Sequence, residues 1–190
     1  MINKKEFAKI RHEIENFDKK REEIIQLSRE IINLSKRVIY SLHRNDVKAA
    51  SAYVKHISKK KSLLDKTNIF LDTNMNKVAY QEYVEALAYY NFIKNKKIPT
   101  KASLKVSTDD YLMGLCDLTG ELGRKAVNEV IKENFKGAFE IKNLVEELYG
   151  EFLKFNLRNS ELRKKSDAIK WNLQKLEDVV FDMKIKGKLK

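Results

Sequence analysis

Glu82 and Glu85 stand in the stretch VAYQEYVEALAYYNFI, residues 78–93, which contains no Lys, Arg or His although the 190-residue chain carries 39 Lys and Arg. Residues three and four apart share a helix face, so this spacing puts both glutamates on one stripe with Val78, Tyr89, Phe92 and Ile93, where core residues belong. Taking an ionised carboxylate out of water costs several kcal/mol unless a counter-charge replaces its hydration. The two acids therefore require a cation from a distant part of the chain, or a metal ion.

A second acidic pair lies in DDYLMGLCDLTGELGRKAVNEVI, residues 109–131. Asp117 and Glu121 are four apart and face the same way, which is mildly unfavourable for like charges on one helix. The helical neighbours of Asp117 (Met113, Gly114, Gly120 and Glu121) include no base, whereas Glu121 can reach Arg124 or Lys125. With the two helices side by side, Glu82, Glu85 and Asp117 converge with Glu121 nearby, an oxygen-rich set suited to Mg²⁺ or Mn²⁺. The competing reading of the same acids is an interhelical salt bridge to one of the many lysines. Gly114, Gly120 and Gly123 share this helix, each at a cost of about 1 kcal/mol relative to alanine, so a close backbone approach is expected there; ordinary glycine-mediated helix packing accounts for them equally well.

Two other chemistries fall away. A ferritin-like diiron site needs Glu-x-x-His pairs, and none of His12, His43 and His56 has Glu three positions before it. The single cysteine, Cys116, sits in an acidic helix that disfavours its thiolate and reads as a small core residue. It also excludes an internal disulfide framework, and no zinc-ligand spacing accompanies it.

The elements that must position these acids are helices. Hydrophobic residues make up 43% and charged residues 35%, with one Pro and six Gly, a balance that fits an all-α fold of long amphipathic helices in one domain, residues 1–190. Phe7, Ile10, Ile14, Phe17, Arg21, Ile24, Ser28, Ile31, Ser35, Val38 and Leu42 alternate three and four apart, widened by Ile25, Ile32 and Ile39. They predict one helix from about Lys5 to His43. At about 57 Å it is longer than a compact domain of this size needs, so contact with another subunit is expected. A second helix, capped after Asn45 and Asp46, is predicted from Val47 to about Phe70, and a third carries Glu82 and Glu85 and stops before Pro99. Ser107 with Asp110 has capping-box spacing and opens the fourth. A fifth is predicted over about Phe139–Phe155, and a sixth from Ser160 or Glu161 to near Lys184. In the sixth, Leu162, Ser166, Ile169, Leu173, Leu176, Val180 and Met183 form a coiled-coil-like seam. KASLKVS, residues 101–107, alternates like a strand but is too short and isolated to found a sheet, and is expected to be loop.

The formal net charge is +12. Residues 109–151 contain ten acids against five bases, a net of −5, which leaves +17 on the remainder. Such a surface suits a polyanion, nucleic acid first, because Lys and Arg that neutralise phosphates release condensed counterions. Lys59, Lys60 and Lys61, and the loop lysines Lys94, Lys96, Lys97 and Lys101, are candidate phosphate contacts; a merely solvated surface is the other reading of both groups. MINKKEF lacks the apolar core of a secretion signal, and no apolar run approaches the roughly 20 residues of a membrane span, so a soluble, cytoplasmic protein is expected.

QEYVEA at 81–86, DYLMGLCDLTGELGR at 110–124 and LSREIINLSKRVIYSLHR at 27–44 resemble the translin superfamily, and more closely its TRAX (translin-associated factor X) branch. LRKKSDAIKWNLQKLEDVVFDMKIKG at 162–187 is similar to the C-terminal helix of both, so the resemblance covers nearly the whole chain. It implies an all-α bundle of about seven helices whose long helices serve oligomerisation, assembled as an octameric hollow shell. Translin itself binds RNA and single-stranded DNA, whereas TRAX is the metal-dependent endoribonuclease subunit of their joint complex. Carried over by motif, the catalytic and metal-binding acids are Glu82, Glu85 and Asp117, with Glu121 a neighbouring ligand or supporting residue. The implied function is Mg²⁺- or Mn²⁺-dependent cleavage of single-stranded RNA; the alternative is a non-catalytic translin-like binder of RNA or single-stranded DNA. The chain is compact, without a long insertion between the acidic motifs, as expected of an archaeal or ancestral type working as a homo-oligomer. That departure puts a translin-like partner and nuclear residence in question and leaves the acidic site intact.

Overall fold

The computed structural model describes residues 2–67, 74–158 and 160–188, and among these it is built from seven helices with no strand. They are α1 (Lys4–His43), α2 (Val47–Thr67), α3 (Asn74–Asn95), α4 (Lys101–Leu104), α5 (Thr108–Ile131), α6 (Phe135–Phe152) and α7 (Glu161–Ile185). The expected end of the second helix near Phe70 lies outside the described residues. No helix is long and apolar enough to cross a membrane among those residues.

Local chemistry explains the boundaries. Asn3 caps α1 through its side-chain oxygen, which accepts from the Lys5 and Glu6 amides. Asn45 turns the chain at φ 61, and Asp46 Oδ1 accepts from Ala49 N at 2.9 Å to open α2. Ser107 Oγ accepts from Asp110 N at 3.1 Å and donates to Asp110 Oδ2 at 2.7 Å. The capping box thus closes between the Ser107 hydroxyl and the Asp110 carboxylate. KASL departs from expectation: it is the one-turn helix α4, capped by Thr100, whose side chain accepts from Ser103 N, and ended by Lys105 at φ 52. Seven alternating residues cannot exclude a single capped turn within them.

α1 packs on α2 and α3, α3 on α5, α5 on α6 and α7, and α6 on α7. α3 is the central element, with Tyr83, Val84, Ala86, Leu87, Ala88, Tyr89, Tyr90 and Phe92 all buried. Its acidic stripe runs inward: Val78 is exposed, Glu82 is half-buried, and Glu85 and Tyr89 are in the core. In α7 all seven seam residues, Leu162 to Met183, are buried as the spacing requires. The α1 stripe behaves differently along its length. Ile24, Ser28, Ile31, Ser35, Val38 and Leu42 are buried, whereas Phe7, Ile10, Ile14 and Phe17 are exposed by 41–56%. The N-terminal half of α1 projects beyond its own bundle.

Candidate functional site

α3 and α5 approach closely at one point. A Cβ added to Gly114 would lie 2.6 Å from Val84 Cβ and 2.7 Å from the Gln81 carbonyl oxygen, so only glycine lets the two backbones meet there. The contact falls beside Glu82 and Glu85 on α3 and three residues before Asp117 on α5. Gly114 thereby sets the distance between the two acidic motifs. Gly120 and Gly123 do not share this role: a Cβ at Gly120 would make only an ordinary contact at 3.9 Å, and one at Gly123 would meet nothing within 4 Å.

The four carboxylates line a single cleft of about 800 Å³, together with Lys36, Arg37, Ile39 and Tyr40 from α1, Arg124 from α5 and Lys165 from α7. Four acids thus face four bases, and none of the bases was among the lysines singled out from the sequence. The charges are unevenly matched. Among the described residues neither Glu82 nor Glu85 makes a hydrogen bond or a close ion pair. Burial, reinforced by the negative charges of Asp117, Glu82 and Glu121, pushes the Glu85 carboxyl up to about 8. Burial also raises Glu82, against the opposing pull of Lys36.

The α5 acids, by contrast, are held. Lys165 Nζ stands 2.5 Å from Asp117 Oδ2 and 3.3 Å from Gln81 Oε1. Asn172 Nδ2 donates to Thr119 Oγ1 at 2.9 Å, a second tie between α7 and α5. Glu121 is hydrogen-bonded through Oε2 to His43 Nε2, and this bond keeps its carboxyl below the ordinary carboxylate range. With Glu121 ionised, Nε2–H is the donor, and the other ring nitrogen, Nδ1, lies 3.3 Å from the Tyr89 hydroxyl. Of the two bases expected within reach of Glu121, Arg124 stands at 4.0 Å. Lys125 turns away, to Glu129 at 2.8 Å and Asn45 Oδ1 at 3.0 Å.

The sequence-predicted lysines lie outside this cleft. Lys61 requires correction as a phosphate contact: it is 4% exposed, with Nζ donating to Asp65 Oδ2 at 2.9 Å and to the Lys105 carbonyl at 2.6 Å, beside the rings of Tyr80 and Tyr83. It ties α2 to the chain after α4. Lys60 pairs with Glu30 at 2.5 Å and Lys96 with Glu140 at 3.2 Å, and Lys101 donates to Thr108 Oγ1. Lys59 and Lys97 are exposed. Lys94 lies over the Tyr90 ring in a shallow groove with Lys48, Lys55 and His56, and no acid lines that groove.

Carboxylate oxygens are hard donors that suit Mg²⁺ or Mn²⁺, and Glu85, buried without a partner, is the kind of group a divalent ion neutralises. In donor chemistry the set fits such an ion. Among the described residues, though, no three Asp, Glu, His or Cys side chains are gathered closely enough to ligate one, and Lys165 sits on Asp117. Cys116 is buried, and burial with the adjacent Asp117 charge pushes its thiol up to about 12, which leaves it inert.

The sequence matches the Translin family over residues 19–187. It is 39% identical to Translin of Gallus gallus over 79 residues, 42% of this chain and 34% of the relative. It is 26% identical to Translin-associated protein X of Rattus norvegicus over 232 residues, 95% of this chain and 78% of the relative. The chain thus spans about a third of the translin it matches and most of the TRAX protein. In three dimensions it superposes on apo-NeC3PO with a TM-score of 0.85 and 35% identity, covering 92% of this chain and 95% of that one. On AfC3PO in complex with duplex RNA the TM-score is also 0.85, at 24% identity and with 95% and 97% coverage.

Proposed function

The chain belongs to the translin family, and from that premise we propose that it is a divalent-metal-dependent endoribonuclease acting on single-stranded RNA, with Glu82, Glu85, Asp117 and Glu121 as its catalytic and metal-binding residues. One observation carries the reading: four carboxylates from two helices line one cleft, and the two on α3 have no partner there although Glu85 is buried. An acid placed that way for stability alone would be paired with a base. The similarity to C3PO structures, one of them described in complex with duplex RNA, supports RNA as the polyanion that the +12 chain meets.

When bound, Mg²⁺ or Mn²⁺ supplies Lewis-acid polarisation of a phosphoryl oxygen and a nucleophile at neutral pH. The protein's own contributions follow from the cleft. Glu82 and Glu85 face it from α3 and Asp117 from α5, as donors for the ion. Glu121, oriented by His43, is placed to order water in the cleft. Lys36, Arg37 and Arg124, at the same opening, draw in and hold the phosphodiester backbone. The groove of Lys48, Lys55, His56 and Lys94, with Tyr90 as an aromatic surface, serves a more distant stretch of strand. The projecting apolar half of α1 is read as the contact between copies of this chain in an octameric shell, which native mass measurement checks.

The test is incubation of the purified protein with labelled single-stranded and duplex RNA, with Mn²⁺ or with EDTA, beside Glu85→Ala. Cleavage should require the metal and fall at least about a hundredfold in the variant. Cleavage in EDTA, or undiminished in Glu85→Ala, contradicts the proposal. A second reading, RNA binding without cleavage, draws on the clasp of Asp117 by Lys165. Salt-sensitive binding with no cleavage under Mn²⁺ would favour it.

A further inference from the structure

We propose that Lys165 is a tethered cation that covers Asp117 and must leave it before a divalent ion is held, so that the protein carries its own competitor for the metal; this rests on the metal-centre reading of the four acids. The geometry supports a competitor over a simple bridge in three ways. First, the ammonium is at the junction of the two motifs, 2.5 Å from Asp117 Oδ2 on α5 and 3.3 Å from Oε1 of Gln81 on α3, the residue before Glu82. It stands between the two motifs whose acids would hold an ion.

Second, the four acids line one cleft, no three of them close on a common point among the described residues, and Asp117 is the one that Lys165 holds at contact distance. Third, lysine suits reversible occupancy. Its ammonium is a compact, well-hydrated point charge on a flexible stem, without the bidentate grip of arginine. Lys165 and Asp117 are each 33% exposed, so the exchange opens directly to solvent. The single positive charge of Lys165 pairs with Asp117 and makes no hydrogen bond or close ion pair with Glu82 or Glu85 among the described residues; a divalent ion with several oxygen ligands would compensate more of the acids.

Competition has a measurable form, because apparent metal affinity is reduced by the fraction of molecules in which Asp117 is covered. The experiment is Mn²⁺ titration by calorimetry on the full chain as wild type, Lys165→Met and Lys165→Arg, with helicity checked by circular dichroism. Lys165→Met should bind Mn²⁺ about tenfold more tightly or better, since it removes a positive charge at contact distance from a ligand. Lys165→Arg, which keeps that charge, should stay near wild type. Should Lys165→Met fail to fold, Lys165→Gln carries the same expectation. Wild type binding Mn²⁺ while the neutral variants bind equally or more weakly overturns the competitor role alone and leaves Lys165 a structural bridge. Absence of Mn²⁺ binding in every form overturns the metal centre and this inference with it.

Discussion

Lys61 and Glu85 are both buried titratable side chains, at 4% and 9% exposure, and their surroundings are opposite. Lys61 is satisfied on every side: a carboxylate, a backbone carbonyl and two tyrosine rings meet its ammonium. Glu85 meets no hydrogen-bond donor among the described residues and faces three further acids across its cleft. A charge buried for the sake of the fold acquires its neutralising partners from the fold, because an unpaired ion in a low-dielectric interior is too costly to keep. A buried acid without them holds its proton instead, as the raised Glu85 carboxyl does. The same contrast divides the cleft itself, where the α5 acids have protein partners and the α3 acids have none.

The contrast breaks most easily at Glu85. With its carboxyl at about 8 in the folded protein against 4.5 in the unfolded chain, the folded state retains a proton between those values that the unfolded state has released. Stability of the metal-free protein is therefore lost as pH rises through that window. Relative to Glu85→Gln, wild type should lose a few kcal/mol between pH 5 and pH 8 in urea titrations, with the two nearest in stability at the acid end. An equal slope in both would mean that folding does not raise the Glu85 carboxyl. At neutral pH without metal, Glu85→Gln should be neutral or stabilising.

Lys61 should behave in the opposite sense. Lys61→Met removes the donor to the Lys105 carbonyl and leaves Asp65 only the Tyr80 hydroxyl at 3.0 Å, and chemical denaturation should show a loss of about 3 kcal/mol at neutral pH. Gly114→Ala tests the frame that holds the acids apart. Its Cβ would collide with the Val84 side chain and the Gln81 carbonyl, which should lower stability by about 2 kcal/mol and weaken Mn²⁺ binding together. Gly123→Ala, with open space around it, should be neutral or slightly stabilising. The smallest effect belongs to an exposed pair: Lys60→Ala removes the contact to Glu30 and should change stability by less than about 1 kcal/mol.

Much of the scaffold could be read from the chain. The α7 seam, the α1 stripe from Ile24 onward and the Ser107 cap all carry their signal in spacing, since amphipathic periodicity reports which face will be buried. The apolar stripe of α1 continues through Phe7 and Phe17 with the same spacing, and nothing in the pattern says that this part leaves the bundle; periodicity reports a face to be covered, not what covers it. The α4 turn was hidden because its cap and its single hydrogen-bonded turn span too few residues for a period to show. The absence of local bases around Glu82, Glu85 and Asp117 was legible, and so was the need for close approach at Gly114, though not that Gly120 and Gly123 are free of it.

The partners of those acids were not legible. Lys165 is 48 residues from Asp117 and His43 is 78 from Glu121. Each had a faint signal: Lys165 adjoins the seam at Leu162, Ser166 and Ile169, and His43 follows Ile39 by one helical turn. Neither signal names a partner. What the sequence by itself determined is an all-α chain with two acidic motifs that lack neighbouring bases, because helix formation, capping and charge spacing act over a few residues. Which cation meets which acid, and which acids meet none, was decided only when four helices packed around one cleft, because a charge interaction depends on distance in space and the chain order carries no record of it.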